Sequence, residues 1–181
     1  CSSDLIEERV IIPTINGLQK EGLDYRGFIF LGFMIENDEP YMIEYNCRMG
    51  DPETEVVMPR LKNDLVELFQ AVAEQKLDTI KIETDERTVC TVVAVSGGYP
   101  GDYKKGYEIH GLQDINPADS VVYHMGTIIK DGKVVTNGGR VFCVTSYGRS
   151  IYDAVAISKE EIEKITFTGM EYRSDIGYEF D

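Results

Sequence analysis

The most apolar part of the chain is a pair of runs joined by turn-forming residues. Gly27–Ile35 reads GFIFLGFMI, Glu36–Pro40 (ENDEP) follows, and Tyr41–Asn46 (YMIEYN) returns. This pattern predicts a β-hairpin with a longer loop. Runs so continuously apolar predict cover on both faces. Before them, Asp4–Val10 and Thr14–Glu21 read as short helices separated by Pro13, with Gly22 as the stop. After them, Asp51 is a candidate cap for a short helix with Pro52 at its first position, and Pro59 ends or kinks it. Asn63 is a candidate cap for a further helix. Leu65, Leu68, Phe69 and Val72 there recur as one apolar stripe, which predicts a core face.

The character changes after the polar linker Lys76–Arg87. Thr88–Ser96 (TVCTVVAVS) predicts a buried strand. Gly97–Gly106 (GGYPGDYKKG) is a glycine-rich loop. Tyr107–His110, Val121–Ile129, Val134–Val135 and Arg140–Thr145 read as strands. Asp131-Gly132 is a two-residue hairpin turn, and Asn137-Gly138-Gly139 is another turn. Ser150 with Asp153 resembles a capping box. Ile151, Ala154, Val155, Ile162 and Ile165 then form a helical stripe. The tail from Thr166 has no assignable pattern. These elements predict an α+β protein with two domains, residues 1–82 and residues 83–181, the second small and β-rich with a flanking helix.

Composition narrows the partners. The net charge of −14 argues against a nucleic-acid surface, which needs a basic patch, and against an anionic membrane. A phosphate ligand needs local cations or a metal to offset that charge. No apolar run reaches a membrane-spanning length of about 18 residues, and no signal peptide is visible. Cys1, Cys47, Cys90 and Cys143 form no CxxC pair, so free buried thiols in a reducing cytoplasm are expected. The opening Cys-Ser-Ser, with no initiator Met, suggests a start inside a longer protein, although processing would look the same.

Candidate chemistry lies in Tyr41–Glu53 (YMIEYNCRMGDPE). Strand alternation puts Met42, Glu44, Asn46 and Arg48 on one face and Tyr41, Ile43 and Tyr45 on the other. A carboxylate and an amide are hard oxygen donors that suit Mg²⁺ alongside substrate phosphates. An arginine beside them can neutralise a transferring phosphoryl group. Spacing alone favours the plainer description, a half-buried strand whose polar face is solvated or ion-paired, Glu44 with Arg48. The loop at Gly97–Gly101 lacks a P-loop's Gly-Lys-Ser/Thr; turn-making and close approach to a ligand explain its glycines equally. NGGR at Asn137–Arg140 has the same two readings, its arginine suiting an anion. His110 and His124 have no third ligand for zinc and read as packing residues.

YRGFIFLGFMIENDEPYMIEYNCRMGDPETEVVMPRLKNDLVEL, GGYPGDYKKG, HMGT, TNGGRVFCVT and YRSDIG together resemble the phosphoribosylamine–glycine ligase family, the glycinamide ribonucleotide synthetases of purine biosynthesis, in the ATP-grasp superfamily. The likeness runs from about Tyr25 to Gly177. It implies the C-terminal part of an ATP-grasp domain (residues 1–82) followed by the ligase's small C-terminal domain (residues 83–181). It implies a reaction in which ATP, glycine and 5-phosphoribosylamine give glycinamide ribonucleotide, ADP and phosphate through a glycyl phosphate. Glu44 and Asn46 match the family's Mg²⁺ or Mn²⁺ ligands. Arg48 matches the arginine facing the transferring phosphate. Asp51 and Glu53 are expected to position substrate, through the glycine ammonium or the amine. Many ATP-grasp enzymes carry a further acid twelve residues before the glutamate; here that position is Gly32. The family's enzymes are more than twice this length, so the amino-terminal domain, most of the ATP site and the lid are missing partners. The 181 residues alone are therefore expected to bind ATP weakly or not at all and to form no product. The alternatives are a part of another ATP-grasp enzyme such as a carboxylase, which fits GDPETE poorly, and a non-catalytic metal-binding module.

Overall fold

The computed structural model describes residues 2–180, so Cys1 lies outside the described residues. The architecture is α+β, with antiparallel sheets. The chain divides into two compact units. One comprises residues 1–51 with 63–83, the other residues 52–62 with 84–181.

The first unit opens with α1 (Ser2–Ile6), a π-helical turn (Glu7–Ile11) and α2 (Ile12–Lys20). The two expected helices are one continuous run, and Pro13 does not divide them. Ile12 N–H already reaches back five residues to Glu7 C=O, so the usual ladder is interrupted where Pro13 lacks its donor. Gly22 stops the helix as expected. It takes φ +69°, and Leu23 N–H bonds Leu18 C=O while Gly22 N–H bonds Gln19 C=O, a Schellman ending.

β1 (Phe30–Glu36) and β2 (Glu39–Asn46) form the expected hairpin. Its loop is shorter than the sequence pattern suggests. Asn37 and Asp38 both take positive φ, closing a two-residue turn of the kind these short polar side chains tolerate. The hairpin is not covered on both faces. Met34, Ile35, Tyr41, Ile43 and Tyr45 are exposed, because only two strands pair and the helical run supplies partial cover through Arg9–Glu39 and Thr14–Tyr45 contacts.

After α3 (Thr54–Val57) and a 3₁₀ turn ending at Arg60, α4 (Leu65–Ala73) returns to the first unit. Its cap is Asp64, not Asn63: the Asp64 carboxylate accepts from Val66 N–H at 2.8 Å and Glu67 N–H at 3.2 Å. Asn63 instead ties down the linker, donating to Lys81 C=O and accepting from Glu83 N–H. The predicted core stripe is only partly realised. Leu68 and Ala71 are buried, whereas Leu65 and Phe69 are exposed, and Phe69 packs edge-on to Phe28.

The second unit is a four-stranded antiparallel sheet in the order β4-β7-β3-β8, with β3 (Thr88–Ser96), β4 (Ser120–His124), β7 (Arg140–Gly148) and β8 (Met170–Glu171). Between them, β5 (Thr127–Lys130) and β6 (Lys133–Thr136) pair across the Asp131-Gly132 turn. The strand expected over Val121–Ile129 breaks in two at Met125-Gly126, where both amides bond Val141 C=O. Tyr107–His110 makes only isolated bridges, Glu108 with Val135 on β6 and His110 with Thr166. α5 (Ile151–Ile162), capped by Ser150 accepting from Asp153 N–H, covers one sheet face. Cys90, Val92, Ala94, Phe142, Val144, Ala154, Ile162 and Ile165 form the core beneath it. Phe142 is fully buried, with Phe167 edge-on at 6.1 Å.

Residues 52–62, expected in the first domain, cluster with the second unit. α3 packs on β3 and β7, Tyr147 Oη donates to Pro59 C=O at 2.7 Å, and Leu61 bridges Thr84. The segment therefore covers the sheet face that α5 leaves open. Cys90 and Cys143 are buried free thiols as expected, and burial pushes both above the usual thiol range. Cys47 departs from that expectation, being exposed just past the end of β2.

Candidate functional site

Glu44 and Asn46 occupy the end of β2, just beyond a bulge. Gly32 pairs with Glu44 and Phe33 with Met42, so Ile43 is the extra residue. The expected shared face of Met42 and Glu44 is broken by that insertion. Glu44 and Asn46 both lie beyond it and keep their alternation.

Glu44 is exposed, and its side chain folds across Gly32: a Cβ built on Gly32 would sit 2.9 Å from Glu44 Cγ. The absent side chain at this position therefore leaves room for the glutamate. Gly32→Ala is expected to leave folding nearly unchanged, because the displaced atom belongs to a flexible side chain. It should nevertheless re-aim the carboxylate and weaken divalent-cation binding by about tenfold, the scale of a perturbed metal-ligand support. Mn²⁺ titration followed by paramagnetic line broadening checks this. Unaltered Mn²⁺ binding would show that the Glu44 rotamer does not matter.

Asn46 is half-buried, and its Nδ2 is buried without a hydrogen-bond partner among the described residues. A buried amide N–H left unsatisfied costs about 1–3 kcal/mol; the unpartnered group is a donor, whereas a cation would be held by the amide oxygen Oδ1. Among the described residues no cluster of three or more His, Cys, Asp or Glu could cage a metal. A carboxylate and an amide oxygen, completed by ligand phosphates, fit the way Mg²⁺ is ordinarily held.

Arg48 is exposed and donates through Nη1 to Met49 C=O at 3.0 Å. The ion pair with Glu44 is absent from the ion pairs of the described residues, since the strand ends at Asn46 and the alternation does not extend to Arg48. Asp51 and Glu53 are exposed on the turn before α3, Asp51 in the first unit and Glu53 in the second. The N-cap position of α3 falls on Glu53 and not on Asp51, which was expected there. Glu53 holds the N-cap position, without a side-chain cap bond, because the turn 51–53 delays the helix start to Thr54.

Sequence reasoning passed over Glu55, two residues after Glu53. Its Oε2 is buried without a hydrogen-bond partner among the described residues, and nothing in the spacing separates it from its neighbour. It also gave no role to Tyr172 and Arg173 of YRSDIG. With Arg140 and Glu171 they line a cavity of about 470 Å³ in the second unit. The signal available was charge: two arginines in recognisable motifs of a strongly acidic chain. His124 bonds Thr127 Oγ1 through Nδ1 at 2.9 Å, and His110 lies exposed 3.8 Å from the Glu108 carboxylate; both have local partners.

A bulged hairpin bearing a hard-oxygen pair, joined to an antiparallel sheet with one covering helix, defines the carboxy-terminal portion of an ATP-grasp fold. The same fold occurs in the urea carboxylase of Kluyveromyces lactis, at 18% identity and a TM-score of 0.58, over 86% of this chain and 14% of that one. Residues 2–54 match the family described as phosphoribosylglycinamide synthetase, ATP-grasp (A) domain, and residues 89–179 its C domain. The chain belongs to the phosphoribosylglycinamide synthetase family. It is 46% identical over 171 residues to the phosphoribosylamine–glycine ligase of Caldanaerobacter subterraneus subsp. tengcongensis, covering 94% of this chain and 40% of that protein. The crystal structure of the Thermotoga maritima phosphoribosylamine–glycine ligase superposes with a TM-score of 0.76 at 37% identity, over 95% of this chain and 42% of that one. The chain thus spans about 40% of the length of the curated relatives it matches.

Proposed function

We propose that these residues are the carboxy-terminal part of a cytoplasmic, ATP-dependent ligase that joins glycine to 5-phosphoribosylamine, giving glycinamide ribonucleotide, ADP and phosphate. Membership of the family through both matched stretches carries this reading, and the Glu44–Asn46 pair supports it chemically. The likeness to urea carboxylase concerns the fold alone.

A glycine carboxylate is a poor electrophile. Transfer of the terminal phosphoryl group of ATP to one carboxylate oxygen turns that oxygen into a leaving group. The amine of phosphoribosylamine then attacks the acyl carbon, phosphate departs, and the amine loses a proton. The protein supplies positioning and charge neutralisation. Arg48 faces the transferring phosphoryl group. Asp51 and Glu53 hold the glycine ammonium or the attacking amine. Glu44 and Asn46 hold Mg²⁺ or Mn²⁺, which when bound offsets the negative charge of the phosphate oxygens. No described helix is long and apolar enough to cross a membrane.

The test is a ligation assay on the full chain encoded with these residues. ADP and glycinamide ribonucleotide should form in equal amounts, dependent on glycine and phosphoribosylamine. The 181 residues alone should form none. Turnover with bicarbonate in place of glycine would overturn the reading.

A further inference from the structure

Glu53 has to be held still to meet a substrate amine, yet no side-chain cap bond ties it to the helix it starts. Its place is set by the backbone that carries it. Glu53 C=O accepts from Val56 N–H and Val57 N–H, at 3.2 and 3.0 Å. Met58 N–H then bonds Thr54 C=O, and Leu61 N–H bonds Met58 C=O. Residues 53–60 are thus one hydrogen-bonded helical run, about 9 Å long from Glu53 to Pro59 at about 1.5 Å per residue.

The far end of that run is gripped. Tyr147, on β7, donates through Oη to Pro59 C=O at 2.7 Å. Asp85 N–H donates to Arg60 C=O at 2.7 Å, and Asp85 C=O accepts from Arg60 Nε and Nη2 at 3.1 and 3.0 Å. The last carbonyls of a helical run have no partner within it. Here two in succession find partners outside, and the one at Pro59 is met by a single hydroxyl.

The tyrosine is itself held from two sides. Its N–H bonds Asp119 C=O at 2.8 Å. The Arg87 guanidinium lies 4.1 Å from its ring centroid, within cation–π range. A fork to Asp85 keeps Arg87 there, Nε to Oδ1 at 3.1 Å and Nη2 to Oδ2 at 2.9 Å, and that pairing holds the Asp85 carboxyl well below the usual range. Burial pushes the Tyr147 phenol upward, so it stays protonated and able to donate at neutral pH. Asp85 serves both jaws of the clamp: its backbone takes Arg60, and its carboxylate aims Arg87 at the ring.

We infer that Tyr147 is a positioning residue for the ligation, acting on Glu53 through the 53–60 run. Its hydroxyl fixes where the run sits along β7, and Glu53 at the opposite end keeps the reach that the amine requires. The ring alone would pack against Arg87, so the part of the side chain with a role in the reaction is the O–H. The inference rests on the ligase reading above and adds to it a residue that works from behind the helix.

Tyr147→Phe in the full chain encoded with these residues tests it, since the change removes one hydroxyl and leaves the ring. The KM of the substrate that Glu53 holds, glycine or phosphoribosylamine, should rise about fivefold, the scale of one neutral hydrogen bond. The KM for ATP and the circular dichroism should not change. Glu53→Gln should raise the same KM, and adding Tyr147→Phe to it should raise it no further, because the hydroxyl acts through that carboxylate. Hydrogen exchange at Val56 and Val57, whose amides bond Glu53 C=O, should quicken in Tyr147→Phe while exchange in β3 and β7 stays as it was. Unchanged KM values, additive effects in the double variant, or an equal rise for ATP overturn the inference and leave the ligase reading intact. Unaltered exchange at Val56 and Val57 overturns it whatever the activity. A full chain that forms no glycinamide ribonucleotide overturns both readings.

Discussion

Glu44→Ala in the full-length chain is expected to abolish measurable ligation, with kcat lower by about two orders of magnitude or more, as when a charge-stabilising group is removed at a reacting phosphate or acyl centre. Glu44 is exposed and makes no ion pair with Arg48 among the described residues, so the loss is one of function and the fold should persist. Circular dichroism should be unchanged. The Mg²⁺ concentration for half-maximal rate should rise steeply, because one of the two hard-oxygen donors is gone. Asn46→Ala should act in the same direction but less strongly, since a neutral amide contributes less than a carboxylate. Full ligation by Glu44→Ala with an unaltered Mg²⁺ dependence would remove the metal role from this strand.

Phe142→Ala is expected to cost about 3–5 kcal/mol of stability in the second unit, the range for truncating a buried aromatic ring. The side chain is completely enclosed. It sits on β7, the strand paired on both sides, by β4 and by β3. Its loss would strip the edge-on contact with Phe167 and open a void under α5 that the surrounding strands cannot collapse to fill. Denaturant unfolding should show a lower midpoint. A cost below about 1 kcal/mol would mean that the core relaxes far more than its packing implies.

The parts of the fold that rest on local periodicity were legible in the residues. β3 runs over Thr88–Ser96 as its apolar pattern demands, Asp131-Gly132 closes a tight hairpin, and Ser150 starts α5. What failed depends on partners distant in sequence. The apolar content of the first hairpin could not say how much of it would be covered, and Met34 and Ile43 are in fact more than half exposed. Asn63 and Asp64 are both competent caps, and the choice fell to Asp64 because Asn63 is engaged by Lys81 and Glu83. Pro13 breaks a regular helix but not one that has already widened into a π turn. At the candidate site, the spacing of Glu44 and Asn46 was readable, whereas the bulge at Ile43 was not, because it arises in the pairing with β1. That Arg140 and Glu171 flank Val95 and line one cavity was equally hidden, since only the register across β7, β3 and β8 brings those motifs together.

The alternation of segments between the two units has a practical result for dissecting the molecule. The polypeptide passes from one unit to the other at 51/52, back at 62/63, and across again at 83/84. No single cut can release either body whole. Expression from residue 84 onward would deprive Tyr147 of its acceptor at Pro59 and Thr84 of its bridge to Leu61, leaving one side of the sheet bare. An autonomous version of the second unit has to start at Pro52 and replace residues 63–83 with a short tether.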